Sequence, residues 1–257
     1  MRTLADFLFR DLPLDGKVIL DAAVGAGGNT RRWAERIHVL GSGARIVGVD
    51  LVLPKEAQSA LFDRLGELSR YVSLRETDIR DLSFLEDDSI DIVTCDQTLI
   101  FLETTPLRSL KALSEFRRVL RPDGWLFLTS ETPVEFSPET EGQWRRWNLS
   151  KAIRALQGET WASEPRLEET KEALRLLGFE IVDEMVIPPE RDTRFVPCID
   201  EWREVMSSLI EELSWGARLR DCLREQCDLT YEKIRRDGYL STPPSFALRC
   251  LRQAIEG

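Results

Sequence analysis

The sequence predicts an α/β fold: a seven-stranded, mostly parallel, doubly wound sheet carrying helical insertions. Two observations carry this prediction. Apolar runs of strand length recur through the first half of the chain and end at acids, with polar or helix-patterned stretches between them. Continuous apolar runs suit strands buried on both faces by crossover helices. The first run is also followed by a glycine-rich turn, Gly25-Ala26-Gly27-Gly28, that opens a helix. In open α/β sheets, ligands bind just outside the carboxyl ends of the strands, where such turns lie.

The elements follow in order. Val18-Ile19-Leu20 is a strand with Asp21 at its carboxyl end, and Arg45–Asp50 is a second strand that also ends in an acid. Tyr71–Arg75 is a short third strand leading into Glu76-Thr77-Asp78-Ile79, and Ser89–Asp96 is the fourth. A helix through Phe116 and Val119, a Pro122-Asp123-Gly124 turn and the strand Trp125–Leu128 come next. Ser163-Glu164-Pro165 places a cap residue and a first-turn proline at a helix start, and that helix ends at Gly178. Phe179–Ile187 is the sixth strand, and the alternating Ser245–Gln253 is the seventh. Two insertions interrupt this series, 131–163 and 190–244, within what reads as a single domain over 1–257. In the second, Trp202, Val205, Met206, Leu209, Ile210 and Leu213 recur at helical spacing as one apolar stripe, and a further helix runs from about Ala217 to Arg236. The stripe packs on a neighbouring helix or on a second copy of the chain.

The turn can be read for its ligand. A dinucleotide site prefers G-x-G-x-x-G, and the third glycine is missing here. Asp21 would face a pyrophosphate unfavourably and a cation favourably. The segment Asp21-Ala-Ala23-Val-Gly25-Ala-Gly27 resembles motif I of the class I S-adenosylmethionine (SAM) methyltransferases, with Ala23 where that family has glycine. Glu115 to Leu126 resembles the family's E-x-x-R-V-L-x-P-G-G-x-L signature, with Asp123 in place of a glycine. The resemblance runs from Val18 to Ser130 and resumes at Leu174–Phe179.

It implies SAM as cofactor and a seventh, antiparallel strand between the fifth and sixth. It also implies a cofactor set. Asp21, Ala23, Gly25 and Gly27 form the turn, with Asp50 and Leu51 at the ribose. Asp78 and Ile79 meet the adenine, and Asp96 and Gln97 lie by the sulfonium end. Asp50 suits a ribose because a carboxylate accepts two hydrogen bonds from a diol. Asp91 and Glu115 read as structural, the latter pairing with Arg117 or Arg118 on its helix.

Composition narrows the partners. The net charge of −10 disfavours nucleic acid, whose phosphates are neutralised by Lys and Arg. Arginine pairs occur at 31–32, 117–118, 145–146 and 235–236, and they read as solvated helical surface. No segment has the run of about 20 apolar residues that a membrane span needs. The charged N-terminus is no signal peptide and reads as a short amphipathic helix over the cofactor. Five cysteines without a C-x-x-C pair fit a reducing cytoplasm better than disulfides. Cys222, Cys227 and His38 have no metal-ligand spacing, so no metal is expected.

Trp144, Trp147, Trp161, Trp202 and Trp215 fall in the insertions, as an aromatic lid over a small-molecule methyl acceptor or as the core of a helical cap. His38 is rejected as a base. Glu131, Glu103, Tyr231 and Tyr239 are candidates without a motif, so no catalytic residue is assigned. RNA or protein methylation, a non-catalytic SAM-binding module and an NAD dehydrogenase remain as alternatives. The dehydrogenase is disfavoured by the glycine spacing.

Overall fold

The computed structural model describes residues 4–9, 12–102, 108–159 and 164–254. The chain divides into two compact units: a sheet unit of Met1–Ser130, Pro165–Val186 and Phe246–Gly257, and a helical unit of Glu131–Glu164 and Ile187–Ser245.

In the sheet unit, β1 (Val18–Ala22), β2 (Arg45–Asp50), β3 (Val72–Glu76), β4 (Ile90–Asp96), β5 (Leu120–Glu131), β6 (Phe179–Ile187) and the last strand, Ser245–Arg252, form one sheet. Counting two short strands of the helical unit, β7 (Arg191–Asp192) and β8 (Leu240–Ser241), that last strand is β9. The order is β3-β2-β1-β4-β5-β9-β6. β1 pairs in parallel with β2 and β4, β2 with β3, and β4 with β5. The predicted seventh strand therefore lies between the fifth and sixth. At its end, the Gln253 amide donates to the Gly178 carbonyl just before β6 begins (3.0 Å), and the Arg252 guanidinium reaches the Leu120 carbonyl where β5 begins. Its end meets their starts, so β9 is antiparallel to both.

Side chains alternate across each strand, and both faces are covered. On one face Leu20, Val93, Cys95, Leu126, Leu128 and Leu248 pack on α5 (Arg108–Val119) through Ala112, Leu113 and Phe116. On the other, Ile19, Ile46, Ile92 and Phe127 pack on α2 (Gly28–Leu40) through Trp33, Ala34 and Ile37. α1 (Leu4–Phe9) belongs to this second layer: Phe7 is fully buried and Phe9 meets Trp33 edge-on at 4.6 Å. The N-terminal helix is thus a core element, not the expected cover over the cofactor.

The Pro122-Asp123-Gly124 motif also differs from expectation. β5 runs straight through it from Leu120, and the register with β4 jumps from Ile90↔Leu120 to Ile92↔Trp125. The motif is a bulge within the strand, and Asp123 takes φ +59° there. α7 (Leu167–Leu176) leads to Gly178, left-handed at φ +77°, and then β6.

In the helical unit, α6 (Glu141–Leu156), α8 (Cys198–Glu211) and α9 (Ala217–Asp237) enclose a core of Ile153, Ile199, Trp202, Met206, Ile210, Leu223 and Ile234. Most of the α8 stripe is buried in this unit's own core, so it requires no second copy; Val205 falls off the stripe and is exposed. β7 and β8 form an antiparallel ladder. Among the described residues no helix is long and apolar enough to cross a membrane.

Candidate active site

The chain passes from β1 to β2 to β3 on one side of the sheet, then restarts with β4 beside β1. This reversal leaves a crevice outside the carboxyl ends of β1 and β4, the position where open α/β sheets bind ligands. The turn after β1 lines it. The Ala23 and Val24 amides both donate to the Val49 carbonyl (2.9 and 3.0 Å), pinning the turn to β2. Ala23 has φ +70°, a region costing an L-residue about 1–2 kcal/mol, which explains why the resembling motif carries glycine there. Gly27 has φ +79° and precedes α2, and a Cβ on it would lie 2.2 Å from Leu61 Cδ1 on α3 (Lys55–Leu65).

Asp21 lies beneath this turn and is fully buried. Its carboxylate accepts Asn29 Nδ2 (3.0 Å) and Thr30 Oγ1 (2.5 Å) from the first turn of α2, and Asn29 also donates to Thr94 Oγ1 (2.8 Å). Burial pushes the Asp21 pKa up to about 6 against the two side-chain hydrogen bonds, and the charges of Asp96 and Asp50 push it the same way. These acids are near enough to sense one another, so the crevice concentrates negative charge.

Asp50, at the end of β2, accepts the Gly25 amide on Oδ2 at 2.7 Å. Beside it Leu51 and Val52 expose their side chains, and the Leu53 amide is held by Glu76 Oε2 (2.8 Å). Asp78 lies beyond β3 in a bidentate pair with Arg80, whose hydrogen bonds hold the carboxyl below its usual range. The Ile79 side chain is committed to the core, leaving only its main chain for a ligand. Asp96 ends β4 and accepts Thr129 Oγ1 from β5. Gln97 follows with φ +52°; its amide donates to the Thr129 carbonyl (3.1 Å), while its Oε1 is buried with no hydrogen-bond partner.

The expected cofactor residues therefore gather at the strand ends of one unit, with two qualifications: Asp21 is under the turn, and Ile79 points inward. Asn29, Thr30 and Thr129 were missed. Their only signal was a hydroxyl or amide beside each motif.

Asp91 is structural as expected, accepting the Val18 amide (2.9 Å) and pairing with Lys17 and Arg121. Glu115 pairs with Arg118, not Arg117, and accepts the Leu82 amide (2.8 Å). Arg118 also reaches the Leu82 and Leu85 carbonyls and Asp87, so this arginine of the 117–118 pair is an internal tie rather than solvated surface. His38 lies in the last turn of α2, beside Tyr71 (3.2 Å) and at the end of the helix away from the glycine turn. Of the candidate bases, Tyr231 donates to Asp200 (2.8 Å), Tyr239 stacks under Arg191, and the Glu131 carboxyl is raised chiefly by burial. Glu103 and Trp161 lie outside the described residues.

Residues 20–128 match the family model described as a methyltransferase domain. The match covers less than half of the chain and marks this segment as similar to a methyltransferase domain. No curated protein matches the sequence significantly. Among solved structures, a cyclopropane-fatty-acyl-phospholipid synthase-like protein from Lactobacillus casei gives a TM-score of 0.69 at 13% identity, covering 93% of this chain and 85% of its own. A protein from Bacillus halodurans described as a methyltransferase gives 0.61 at 18%, covering 97% and 99%. Phosphoethanolamine N-methyltransferase 2 from Haemonchus contortus, solved with phosphomonomethylethanolamine and S-adenosylhomocysteine, gives 0.53 at 20%, covering 95% of this chain and 50% of its own. At these identities the likeness is one of fold.

Within the matched segment the residues present fit SAM, the cofactor that the sequence resemblance implies. The turn lets a ligand approach main chain, the exposed Leu51 offers an apolar face, and the orphaned Gln97 Oε1 is a hydrogen-bond acceptor suited to the ammonium of a methionyl group.

Proposed function

We propose that this chain transfers a methyl group from SAM to a small-molecule acceptor in the cytoplasm, with the two insertions forming the unit that binds the acceptor. The observation that carries the reading is the gathering of Asp21, Asp50 and Asp96 around a turn whose backbone is bare. A negative crevice suits a sulfonium cation. The net charge of −10 and the small-molecule ligand named for the Haemonchus contortus neighbour support a small acceptor, and five free cysteines support a reducing compartment.

When bound, SAM supplies a methyl group activated by its positive sulfur. The protein's share is orientation. Asp50 takes the ribose diol while fixing Gly25, Asp78 and the Ile79 main chain flank the adenine, and Leu51 covers it. Asp96 and Gln97 hold the methionyl end. In-line displacement depends on aligning nucleophile, methyl carbon and sulfur, so rigid strand ends contribute through proximity.

Asp50→Ala is expected to weaken SAM by about 1–3 kcal/mol, because the ribose loses its partner and the Gly25 amide loses its acceptor. Calorimetry with SAM and S-adenosylhomocysteine measures this, and unchanged affinity would move the ribose site elsewhere.

Asp21 gives a pH signature. Its folded pKa, about 6, lies above the ordinary 3.8, so the folded chain holds the proton more tightly than the unfolded chain does. Ionised Asp21 therefore destabilises the fold at neutral pH, by about 3 kcal/mol, and this penalty disappears as pH falls from about 6 to below 4. Asp91 and Glu115, held below their usual values, act in the opposite sense. The difference between wild type and Asp21→Asn isolates the buried group. In urea melts the variant should gain stability over wild type as pH rises from below 4 to about 6 and hold that gain above it; parallel curves would contradict the assignment. The preference for the cationic SAM over neutral S-adenosylhomocysteine should grow as pH rises through about 6, where folded Asp21 ionises, in wild type and stay flat in the variant.

A further inference from the structure

The helical unit contains a cavity of about 290 Å³, bordered by α6, the start of α8 and the β8 turn. It falls at the small end of ligand-pocket sizes. Four of its lining residues, Gln143, Arg146, Trp147 and Ser150, are spaced i, i+3, i+4 and i+7 along α6 and share one helix face. The arginine pair 145–146 is thereby split. Arg145 turns to Glu141 in an i−4 ion pair, whereas Arg146 faces the cavity. The expectation of a solvated pair fails for Arg146.

The polar groups around this cavity are unevenly matched. Ser150 is used twice, donating to the Arg146 carbonyl (2.8 Å) and accepting Trp202 Nε1 (2.9 Å). Thr242 Oγ1 accepts the Glu190 amide (2.9 Å). Gln143, buried, gives its Oε1 to Arg146 Nη1 (3.2 Å) and so orients the guanidinium. The remaining groups are mostly donors. Among the described residues no carboxylate lies within ion-pair distance of Arg146; burial disfavours its charge, and the Glu131 carboxyl, farther off in the same cavity, favours it. Ser241 is buried with its Oγ unpartnered, and Trp147 Nε1 is buried without a partner. On the accepting side the lining side chains leave the carboxyl of Glu131. Phe195, Ile199, Leu240 and Pro243 supply apolar wall.

A half-buried arginine with no carboxylate within ion-pair distance among the described residues, beside unsatisfied donors and an apolar wall, suits an anion with an apolar body. We propose that this cavity binds a small carboxylate-bearing compound, with Arg146 taking the carboxylate, oriented by Gln143, and the Ser241 hydroxyl and Trp147 indole as further donors. The proposal rests on the reading of the helical unit as the methyl-acceptor unit, and it specifies the acceptor's class.

The test uses the full chain and three ring compounds of similar size: benzoate, neutral benzamide and cationic benzylamine, titrated calorimetrically. Benzoate should bind at least about tenfold more tightly than either of the others. Arg146→Gln should remove that preference, and Ser241→Ala should weaken benzoate a few-fold. The indole N–H signal of Trp147, assigned by its loss in Trp147→Phe, should shift on adding benzoate. Equal binding of benzoate and benzamide, or a benzoate preference surviving in Arg146→Gln, would overturn the proposal. The wild-type comparison needs no variant to fold. SAM titrated into the same samples separates the two readings. Normal SAM binding with no benzoate preference rejects the carboxylate pocket alone, whereas failure of SAM to bind rejects the proposed function, whatever benzoate does.

Discussion

Gly27→Val should abolish measurable SAM binding while leaving most of the helical content intact. Two independent effects act at this position. The backbone there is left-handed, at φ +79°, which an L-residue adopts at a cost of about 1–2 kcal/mol and a β-branched one more reluctantly. The new Cβ would also lie 2.2 Å from Leu61 Cδ1, and Leu61 is buried, packed with Val24 and Leu65, with little room to retreat. The chain can relieve both only by moving the turn. That turn carries the Gly25 amide held by Asp50 and starts the helix whose Asn29 and Thr30 hold Asp21. A shift that relaxes the introduced valine therefore displaces the groups that meet the cofactor. Far-ultraviolet circular dichroism should stay near wild type while calorimetry detects no SAM binding. Wild-type affinity in this variant would mean that the turn is not the cofactor cradle.

The strands were legible because each is covered on both faces and so reads as an apolar run. The exceptions are informative. β3 and β6 are edge strands, and along Phe179–Ile187 exposed side chains alternate with buried or half-buried ones. The Pro-Asp-Gly motif was read as a turn because those residues usually make one. In the fold, β4 pairs with the chain on both sides of the motif, and tertiary pairing turns it into a bulge.

At the site, the acids at strand ends were visible, because strand carboxyl ends are where an open sheet places ligands. What they contact was not. Nothing in the local pattern says that Asp21 is buried under its turn while Asp50 faces the crevice; that depends on Asn29 and Thr30, which follow the turn. Arg146 was hidden for a similar reason. Adjacent arginines lie about 100° apart around a helix, so one can be solvated and its neighbour turned inward. The mixed spacing of Gln143, Arg146, Trp147 and Ser150 was the available signal, and it was not used.

The tryptophans of the insertions were read as either lid or core, and the structure distributes them. Trp144 packs edge-on against Phe136, Trp147 lines the cavity and Trp215 is exposed. Trp202 is core: it is 8% exposed, sits among Ile199, Met206 and Ile210, and donates Nε1 to Ser150 Oγ. Trp202→Ala should therefore destabilise the helical unit by about 3–5 kcal/mol, the range for removing a buried aromatic side chain. Trp202→Phe should recover much of this by refilling the space, without the indole hydrogen bond. Hydrogen exchange should rise in α6, α8 and α9, whose shared core loses its largest side chain. The residues assigned to SAM all belong to the sheet unit, so SAM affinity should change by less than about twofold, as expected for sites with no shared partners. A loss of SAM binding as large as the loss of stability would show that the two units fold as one cooperative body and that the cofactor cradle depends on the helical core.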